Sequence, residues 1–229
     1  METECWLADT RLSYDTVAAS YADHVRGLLE QSPYDQAVFA LFAESLRAGG
    51  GGPVVDVGCG PGRITAHLRD LGLDASGIDL SPVMVELARK ERPDMRFEVG
   101  SMTDLALSDG SVAGLAAWYS IIHVPDDDLD SVLIEFRRVL RPGGLLLLGF
   151  HVGDTSRLKT EGYGGHPMRV YVHRRQPHHV AARLSDVGFD VEAEMVLRSP
   201  ESASCGGVVF ARCSVNGCRD ERAGCYTGS

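Results

Sequence analysis

The glycine-rich turn from Asp56 to Gly62 constrains the fold of this chain more than any other part of its sequence. It follows the apolar run from Pro53 to Val57, whose β-branched residues are typical of a buried strand. Glycines at 58, 60 and 62 lack a Cβ, so the backbone can adopt positive φ and a ligand can approach the main chain closely. The sequence therefore predicts a strand, a ligand-binding turn and a helix in succession.

Strand-like and helix-like segments alternate after this turn. Helices are predicted at 62–70, 82–90, 127–140 and 177–187, and strands at 75–79, 95–99, 112–118, 144–150, 169–173, 189–197 and 207–213. This alternation predicts an α/β fold with a doubly wound, mostly parallel sheet and helices on both faces. The last two strands are expected to pair as a hairpin, which gives a mixed sheet with an antiparallel C-terminal edge.

The clearest helix is the one predicted at 127–140. Its apolar stripe is assigned to the core and comprises Leu129, Val132, Leu133, Phe136, Val139 and Leu140.

The segment before the turn has a different pattern. Helical periodicity at 16–29 and 34–46, followed by the glycine run at 49–52, predicts an N-terminal helical cap or lid over residues 1–52. The core is then expected to span 53–213.

Two further segments interrupt or follow the core. Residues 152–176 are predicted to form a loop or lid insertion, because 153–167 contains four glycines and one proline. Residues 214–229 show no apolar period and are expected to form a flexible tail.

Charge and hydropathy limit the partners of the chain. The formal net charge is −10, so a broad basic face for nucleic acid is not expected. The first 15 residues mix Glu2, Glu4, Asp9 and Arg11 with isolated apolar residues, unlike a signal peptide. The longest apolar run, around 145–148, is far below the roughly 20 residues that span a bilayer. We therefore expect a cytoplasmic protein with no nucleic-acid or membrane partner.

The cysteines and histidines do not form a metal-binding pattern. The six cysteines, at 5, 59, 205, 213, 218 and 225, include no Cys-x-x-Cys pair and are expected to be reduced and mostly structural. A local metal or disulfide site among the last three is the alternative. Histidines at 151, 166, 173, 178 and 179 are interpreted as acceptor-pocket or turn residues, and no metal is predicted.

The spacing of the turn favours an adenosine ligand over a dinucleotide. The glycines follow Gly-x-Gly-x-Gly, whereas the dinucleotide pattern is Gly-x-Gly-x-x-Gly and would place glycine where Arg63 stands. Asp79 ends the second predicted strand, 19 residues after Gly60. A carboxylate there can accept hydrogen bonds from both hydroxyls of a ribose.

These segments resemble the class I S-adenosylmethionine (SAM)-dependent methyltransferases. The similarity runs through 54–63, 77–81, 99–102 and 140–144, and extends over roughly residues 12–213. It implies a seven-stranded sheet with SAM as cofactor. The glycine turn would face the amino-acid end of SAM, Asp79 would bind the ribose, and Ser101 and Met102 would border the adenine.

One position departs from the family pattern. Relatives often carry an acidic residue where Ser101 stands, which leaves adenine recognition to backbone groups, to the Ser101 hydroxyl or to Asp104. Asp56 is expected to act as a counter-charge or turn organiser, and Cys59 as a small turn residue. The expected cofactor contacts are Asp56, Gly58, Cys59, Gly60, Gly62, Arg63, Asp79, Leu80, Met84, Ser101, Met102, Trp118, Tyr119, Tyr14 and Tyr21.

Three residues have competing interpretations. His123 is the best-placed candidate for a general base, and the alternative is that it packs against or caps the helix starting near Asp126. Tyr14 and Tyr21 are seven residues apart and share a face if the segment is helical. They are expected to contact the cofactor as part of the lid, with simple packing as the alternative.

The favoured function is transfer of a methyl group from SAM to a small-molecule nitrogen, oxygen, sulfur or carbon nucleophile. The displacement is in line and requires alignment and exclusion of water, but no metal. A nicotinamide-dependent oxidoreductase and a non-catalytic SAM-binding module are the two alternatives.

Overall fold

The computed structural model describes residues 2–198 and 205–215. The helices are α1 (Glu2–Val25), α2 (Pro33–Ala48), α3 (Arg63–Asp70), α4 (Pro82–Glu91), α5 (Asp126–Val139) and α6 (Pro177–Asp186). The strands are β1 (Pro53–Val57), β2 (Asp74–Asp79), β3 (Phe97–Val99), β4 (Val112–Trp118), β5 (Leu140–His151), β6 (Ser156–Gly162), β7 (His166–His173), β8 (Phe189–Arg198) and β9 (Cys205–Cys213). A 3₁₀ turn covers Ile121–His123.

The main sheet has seven strands in the order β3-β2-β1-β4-β5-β9-β8. The first five are parallel, whereas β9 pairs antiparallel with both β5 and β8. This confirms the predicted fold class, a doubly wound mixed sheet with an antiparallel edge. The strand order reverses beside β1, so the carboxyl ends of β1 and β4 diverge into a crevice where ligands of such sheets bind.

Helices cover both faces of the sheet. α5 and α6 pack on one face, through Leu133, Phe136 and Val180 among others, and α2 and α3 pack on the other, through Phe39 and Leu68. Every residue of the central strand β4 is buried, as expected for a strand covered on both faces. The stripe predicted on the clearest helix is buried throughout, which confirms its assignment to the core.

The first helix is longer than predicted. It begins at Glu2 rather than at 16, and it ends at Val25, before the predicted end at 29. Its N-terminal half has little apolar periodicity, so local pattern could not reveal it. Contacts distant in sequence hold it, since Ser13 Oγ accepts the backbone N–H of Arg169 at 2.8 Å and Asp9 pairs with the Arg169 guanidinium.

The prediction of a loop over 153–167 is wrong. β6 and β7 form an antiparallel hairpin in this insertion, with Ser156 opposite His173 and Gly162 opposite His166. The glycine content of this segment indicated a loop, so β6 was not predicted. The partner strand β7 is stabilised by α1, because Met168 and Val170 are buried against Val17. The insertion is therefore an ordered hairpin that packs on the N-terminal helix.

In the described ranges no helix is long and apolar enough to span a membrane. The tail predicted for 214–229 lies outside the described residues, apart from its first two positions.

Candidate active site

A cleft opens at the carboxyl ends of β1, β2 and β4, beneath α1. Most of the predicted site residues line it, namely Tyr14, Tyr21, Gly58, Gly60, Asp79, Leu80, Met84, Ser101, Met102, Trp118, Tyr119 and His123. Tertiary structure thus brings together residues from five separate segments of the chain.

Asp79 connects two walls of this cleft. Its Oδ2 accepts the backbone N–H of Gly60 at 2.7 Å, and its Oδ1 accepts the N–H of Ser81 at 2.8 Å. Burial raises the pKa of the carboxyl to about 6, although both hydrogen bonds oppose that shift. Each oxygen retains acceptor capacity beyond its one backbone contact, so the group can accept further hydrogen bonds from a ligand in the cleft.

The three glycines of the turn have different physical roles. All have positive φ, at 75°, 54° and 83° for Gly58, Gly60 and Gly62. A Cβ at Gly58 would lie 2.3 Å from the Cβ of Ser120, and one at Gly62 would lie 2.8 Å from the Phe97 ring. A Cβ at Gly60 would find its nearest neighbour in the Tyr21 ring, at 3.6 Å, and would occupy space belonging to the cleft. The missing side chain at Gly60 therefore leaves its backbone open to the cleft.

Four predicted contact residues do not line the cleft. Asp56 lies below the turn, fully buried, and accepts the Thr65 hydroxyl at 2.7 Å; burial raises its pKa to about 7. Cys59 packs in an apolar cluster with Val85 and Phe97. Gly62 starts α3 in the left-handed conformation. These three residues lie behind the turn and shape it. Arg63 is the fourth predicted contact residue that does not line the cleft.

Two buried donors beside the cleft have no hydrogen-bond partner in the described residues: Arg63 Nη1 and Trp118 Nε1. Burial raises the pKa of Tyr119 to about 12, and the positive charge of Arg63 opposes this rise. Arg63 has the same effect on Tyr21, so its guanidinium lies near both rings. The Trp118 side chain is 6% exposed and lines the cleft. Both groups are suited to an anionic part of a ligand.

Tyr119 adopts strained backbone geometry at the end of β4. Its φ is 54°, and it is the one non-glycine residue with positive φ in the described ranges. Space for its side chain comes from Gly206, where a Cβ would lie 2.5 Å from the Tyr119 hydroxyl. Strain of this kind persists where the surrounding structure enforces it, often at functional sites.

α1 covers the cleft with aromatic side chains. Tyr14 and Tyr21 share a face as predicted, with ring centroids 5.5 Å apart, and Tyr163 of the hairpin packs 4.8 Å from Tyr21. Asp15 Oδ1 accepts the Ser81 hydroxyl at 2.5 Å, which ties the helix to the residue that caps α4. α1 and the hairpin together form the roof of the site.

Several lining residues were missed by sequence reasoning. α1 also contributes Trp6, Leu7, Thr10 and Arg11, all in the half of the helix that the periodicity did not reveal. An isolated tryptophan in a polar segment was the only available signal for them.

The adenine end of the predicted site is bordered by Ser101 and Met102. The Ser101 hydroxyl lies 2.7 Å from that of Thr103 and accepts its backbone N–H at 3.2 Å. Asp104 is exposed and does not line the cleft. Of the alternatives left open by the sequence, backbone groups and the Ser101 hydroxyl are thus the ones located at the cleft.

His123 has partners on both ring nitrogens. Nδ1 lies 2.7 Å from the carbonyl oxygen of Tyr171, and Nε2 lies 2.8 Å from the Tyr14 hydroxyl. Burial lowers the pKa of His123 to about 4, and the positive charges of His173 and Lys159 act in the same direction. α5 is capped at Pro125 without a side-chain hydrogen bond, so His123 does not cap that helix.

A buried arginine supports the turn that carries His123. Arg175 is 6% exposed, and it donates to the carbonyls of Ile121 and Val124 at 3.1 and 2.5 Å. It also pairs with Asp126 at 2.9 Å. This guanidinium joins the 3₁₀ turn to the start of α5.

A second cavity, the side chamber, adjoins the cleft. It lies between α1, the start of α5 and the hairpin, and it is partly open to solvent. Trp6, Thr10 and His123 line both cavities, so His123 lies where they meet. Of the histidines interpreted as acceptor-pocket residues, His173 lines the chamber. Across the described residues, no group of three His, Cys, Asp or Glu side chains is arranged to hold a metal ion.

The seven-stranded sheet and the cleft at its carboxyl edge are those of a Rossmann-like α/β fold. Residues 54–144 match the model of the methyltransferase domain family, and this match supports a class I SAM-dependent methyltransferase. Demethylmenaquinone methyltransferase from Chlorobaculum parvum is 33% identical over 138 residues, which are 58% of this chain and 56% of that protein. The chain spans about half the length of the curated relatives it matches, between 42% and 56% of each.

Solved structures show the same fold. The DhpI complex with SAH has a TM-score of 0.70 at 22% identity, covering 91% of this chain and 97% of that one. 1,6-Didemethyltoxoflavin-N1-methyltransferase from Burkholderia thailandensis, with 1,6-didemethyltoxoflavin and S-adenosylhomocysteine bound, has a TM-score of 0.66 at 22% identity. It covers 90% of this chain and 88% of its own.

Proposed function

We propose that the protein transfers a methyl group from SAM to a nucleophile on a small molecule. The observation that carries this proposal is the contact of Asp79 Oδ2 with the Gly60 N–H at 2.7 Å. This contact supports the proposal because the Asp79 carboxylate, which can accept hydrogen bonds from ribose hydroxyls, lies against the turn glycine whose Cβ would enter the cleft. A nucleoside with a charged amino-acid tail fits this arrangement.

The site offers apolar surface to one end of such a ligand and hydrogen-bond donors to the other. Leu80, Met84 and Met102 offer apolar surface to an adenine ring beside Asp79. At the other end, Trp118 lines the cleft, and its Nε1 is a buried donor without a partner in the described residues. Arg63 lies behind the turn and lines a separate cavity, and its buried Nη1 is a second such donor. Both donors suit a carboxylate. We therefore keep Arg63 as a proposed cofactor contact, and we assign Asp56, Cys59 and Gly62 to shaping the turn.

Three observations favour a small-molecule acceptor. The Burkholderia structure with the same fold holds 1,6-didemethyltoxoflavin, a small molecule. The net charge of −10 disfavours a polyanionic partner such as nucleic acid. The side chamber offers space next to the cleft for a small-molecule acceptor.

In the reaction, bound SAM supplies an activated methyl group whose displacement leaves a neutral thioether. The residues of this chain need to align the nucleophile and exclude water. The aromatic roof of α1 and the hairpin closes the cleft, and Tyr14 and Tyr21 cover the glycine turn. His123, neutral at pH 7 because burial lowers its pKa, is the proposed proton acceptor at the junction of the two cavities.

Isothermal titration calorimetry of the purified chain with SAM, S-adenosylhomocysteine, NAD⁺ and NADP⁺ tests the cofactor. Binding of the first two in the micromolar range without measurable binding of the nicotinamides is expected. Tight NAD⁺ binding with no SAM binding would show that the protein is an oxidoreductase instead.

Methyl-labelled SAM incubated with a small-metabolite extract tests catalysis. Transfer of label to an extract component is expected and should require active protein, with heat-treated protein as control. Cofactor binding without transfer would identify a non-catalytic SAM-binding module.

A further inference from the structure

We propose that Tyr14 and His123 form a proton relay for an acceptor with a neutral hydroxyl on a planar ring, which enters through the side chamber. This inference rests on the proposed methyl transfer, and it makes Tyr14 the catalytic residue and His123 the group that acts through it.

The direction of the two hydrogen bonds follows from chemistry. A backbone carbonyl can only accept, so His123 Nδ1 carries the proton and donates it to the Tyr171 oxygen at 2.7 Å. In the neutral ring Nε2 is then a lone-pair acceptor. The Tyr14 hydroxyl, 2.8 Å away, must therefore be the donor of the second hydrogen bond.

This arrangement leaves no free nitrogen on His123. A substrate proton cannot reach Nε2 directly unless Tyr14 moves, because the Tyr14 hydroxyl already occupies that position. The Tyr14 oxygen itself has lone pairs left, and its side chain lines the cleft. An acceptor hydroxyl at the cleft can donate to this oxygen.

A hydroxyl acceptor gains the methyl group and loses its proton in the same step. The acceptor oxygen forms a bond to the methyl carbon while the carbon–sulfur bond breaks and its electron pair stays on sulfur. The hydroxyl proton passes to Tyr14 Oη as the Tyr14 proton passes to His123 Nε2. The resulting imidazolium keeps its Nδ1 hydrogen bond to the Tyr171 carbonyl. After the product leaves, the extra proton returns from Nε2 through the Tyr14 hydroxyl to water in the cleft.

A relay of this kind discriminates between acceptor types. A neutral amine attacks with its own lone pair and can lose its proton afterwards to water. A hydroxyl is a weak nucleophile until its proton leaves, so general-base assistance accelerates it by about 10²- to 10⁴-fold. The geometry thus points to an oxygen acceptor.

The residues that line the side chamber indicate the chemistry of the rest of the acceptor molecule. Trp6, Val170 and Tyr171 provide apolar and aromatic surface suited to a planar ring. The chamber has three carboxylates, those of Asp9, Asp127 and Asp128, against the single guanidinium of Arg169, which disfavours an anionic acceptor. Buried His173 Nε2 has no partner in the described residues and can contact a second polar group of the ring.

Nitrogen-15 NMR of the histidine side chains tests the relay without any acceptor. We expect His123, assigned by loss of its signals in His123→Gln, to be neutral with the proton on Nδ1 at pH 7. The Nε2 resonance should shift in Tyr14→Phe, which removes the hydroxyl and keeps the ring. An imidazolium at pH 7, or a proton on Nε2, would overturn the relay.

Methyl transfer to matched probes tests the acceptor class. At saturating SAM, 1-naphthol and 2-naphthol are compared with the corresponding naphthylamines. We expect transfer to a naphthol, reduced at least 100-fold in both Tyr14→Phe and His123→Gln, and unchanged within twofold in Tyr34→Phe. Tyr34 is exposed on α2 and lines neither cavity.

The remaining outcomes separate this inference from the proposed function. Absence of SAM binding by calorimetry would overturn methyl transfer itself. SAM binding without transfer to either naphthol, or equal losses for naphthol and naphthylamine in Tyr14→Phe, would overturn the relay and leave the proposed function standing.

Discussion

The carboxylate of Asp79 and the backbone N–H of Gly60 are joined by a hydrogen bond of 2.7 Å across 19 residues of sequence. Asp79→Asn keeps the shape of the side chain and removes its charge. We expect SAM to bind about 1–3 kcal/mol more weakly, because buried ribose hydroxyls lose a charged acceptor. Calorimetric titration at pH 7.5 measures the change.

Asp74→Asn is the matched control, since Asp74 begins the same strand and its side chain is exposed. SAM affinity should stay within twofold in this variant. Equal affinities for the Asp79 and Asp74 variants would refute the assignment of the ribose contact.

Cofactor affinity should depend on pH through the same carboxyl. Burial raises the pKa of Asp79 to about 6, so the group is charged above that pH and protonated below it. SAM binding should therefore weaken as the pH falls from 7.5 to 5, with a midpoint near 6. Titrations at several pH values measure this trend, and the midpoint should disappear in Asp79→Asn. A midpoint that persists there would assign the effect to another group, such as Asp56, whose pKa burial raises to about 7.

Gly62 is expected to tolerate no side chain. Its φ is 83°, and an added Cβ would lie 2.8 Å from the Phe97 ring. Gly62→Ala should lower the free energy of unfolding by about 3 kcal/mol, combining the left-handed backbone penalty with overpacking. Urea denaturation measures this value.

Gly165→Ala isolates the backbone part of that effect. Gly165 has a similar φ of 79°, and nothing lies within 4 Å of an added Cβ. Its expected loss is about 1 kcal/mol. Similar losses for both variants would show that the Phe97 contact relaxes without penalty.

Arg175 is expected to stabilise the turn that carries His123. Arg175→Lys keeps a charge but loses the planar fork that contacts the Ile121 and Val124 carbonyls and Asp126. We expect a loss of about 2–4 kcal/mol in the free energy of unfolding, since buried acceptors lose their partner. Arg157→Lys, at an exposed position of β6, should change stability by less than about 0.5 kcal/mol. Equal denaturation midpoints for the two variants would contradict this role.

The alternation of strands and helices and the position of Asp79 at the end of β2 could be predicted because the information is local. β1, β4 and α5 carry apolar patterns with their own periods, and the turn glycines meet a local backbone requirement. The structure also shows why glycine is required at 58 and 62, which sequence could not, because Ser120 and Phe97 approach from other segments.

By itself the sequence determined the α/β class, the antiparallel edge and the glycine turn with Asp79, since hydrophobic periodicity and turn chemistry act over a few residues. Tertiary structure alone decided the N-terminal half of α1, the strand β6, and the partners of His123. Tyr14 lies 109 residues from His123 in the chain, and the Tyr171 carbonyl lies 48 residues from it. Contacts at such separations form only when packing of α1 on the hairpin offsets the entropy of closing those long loops.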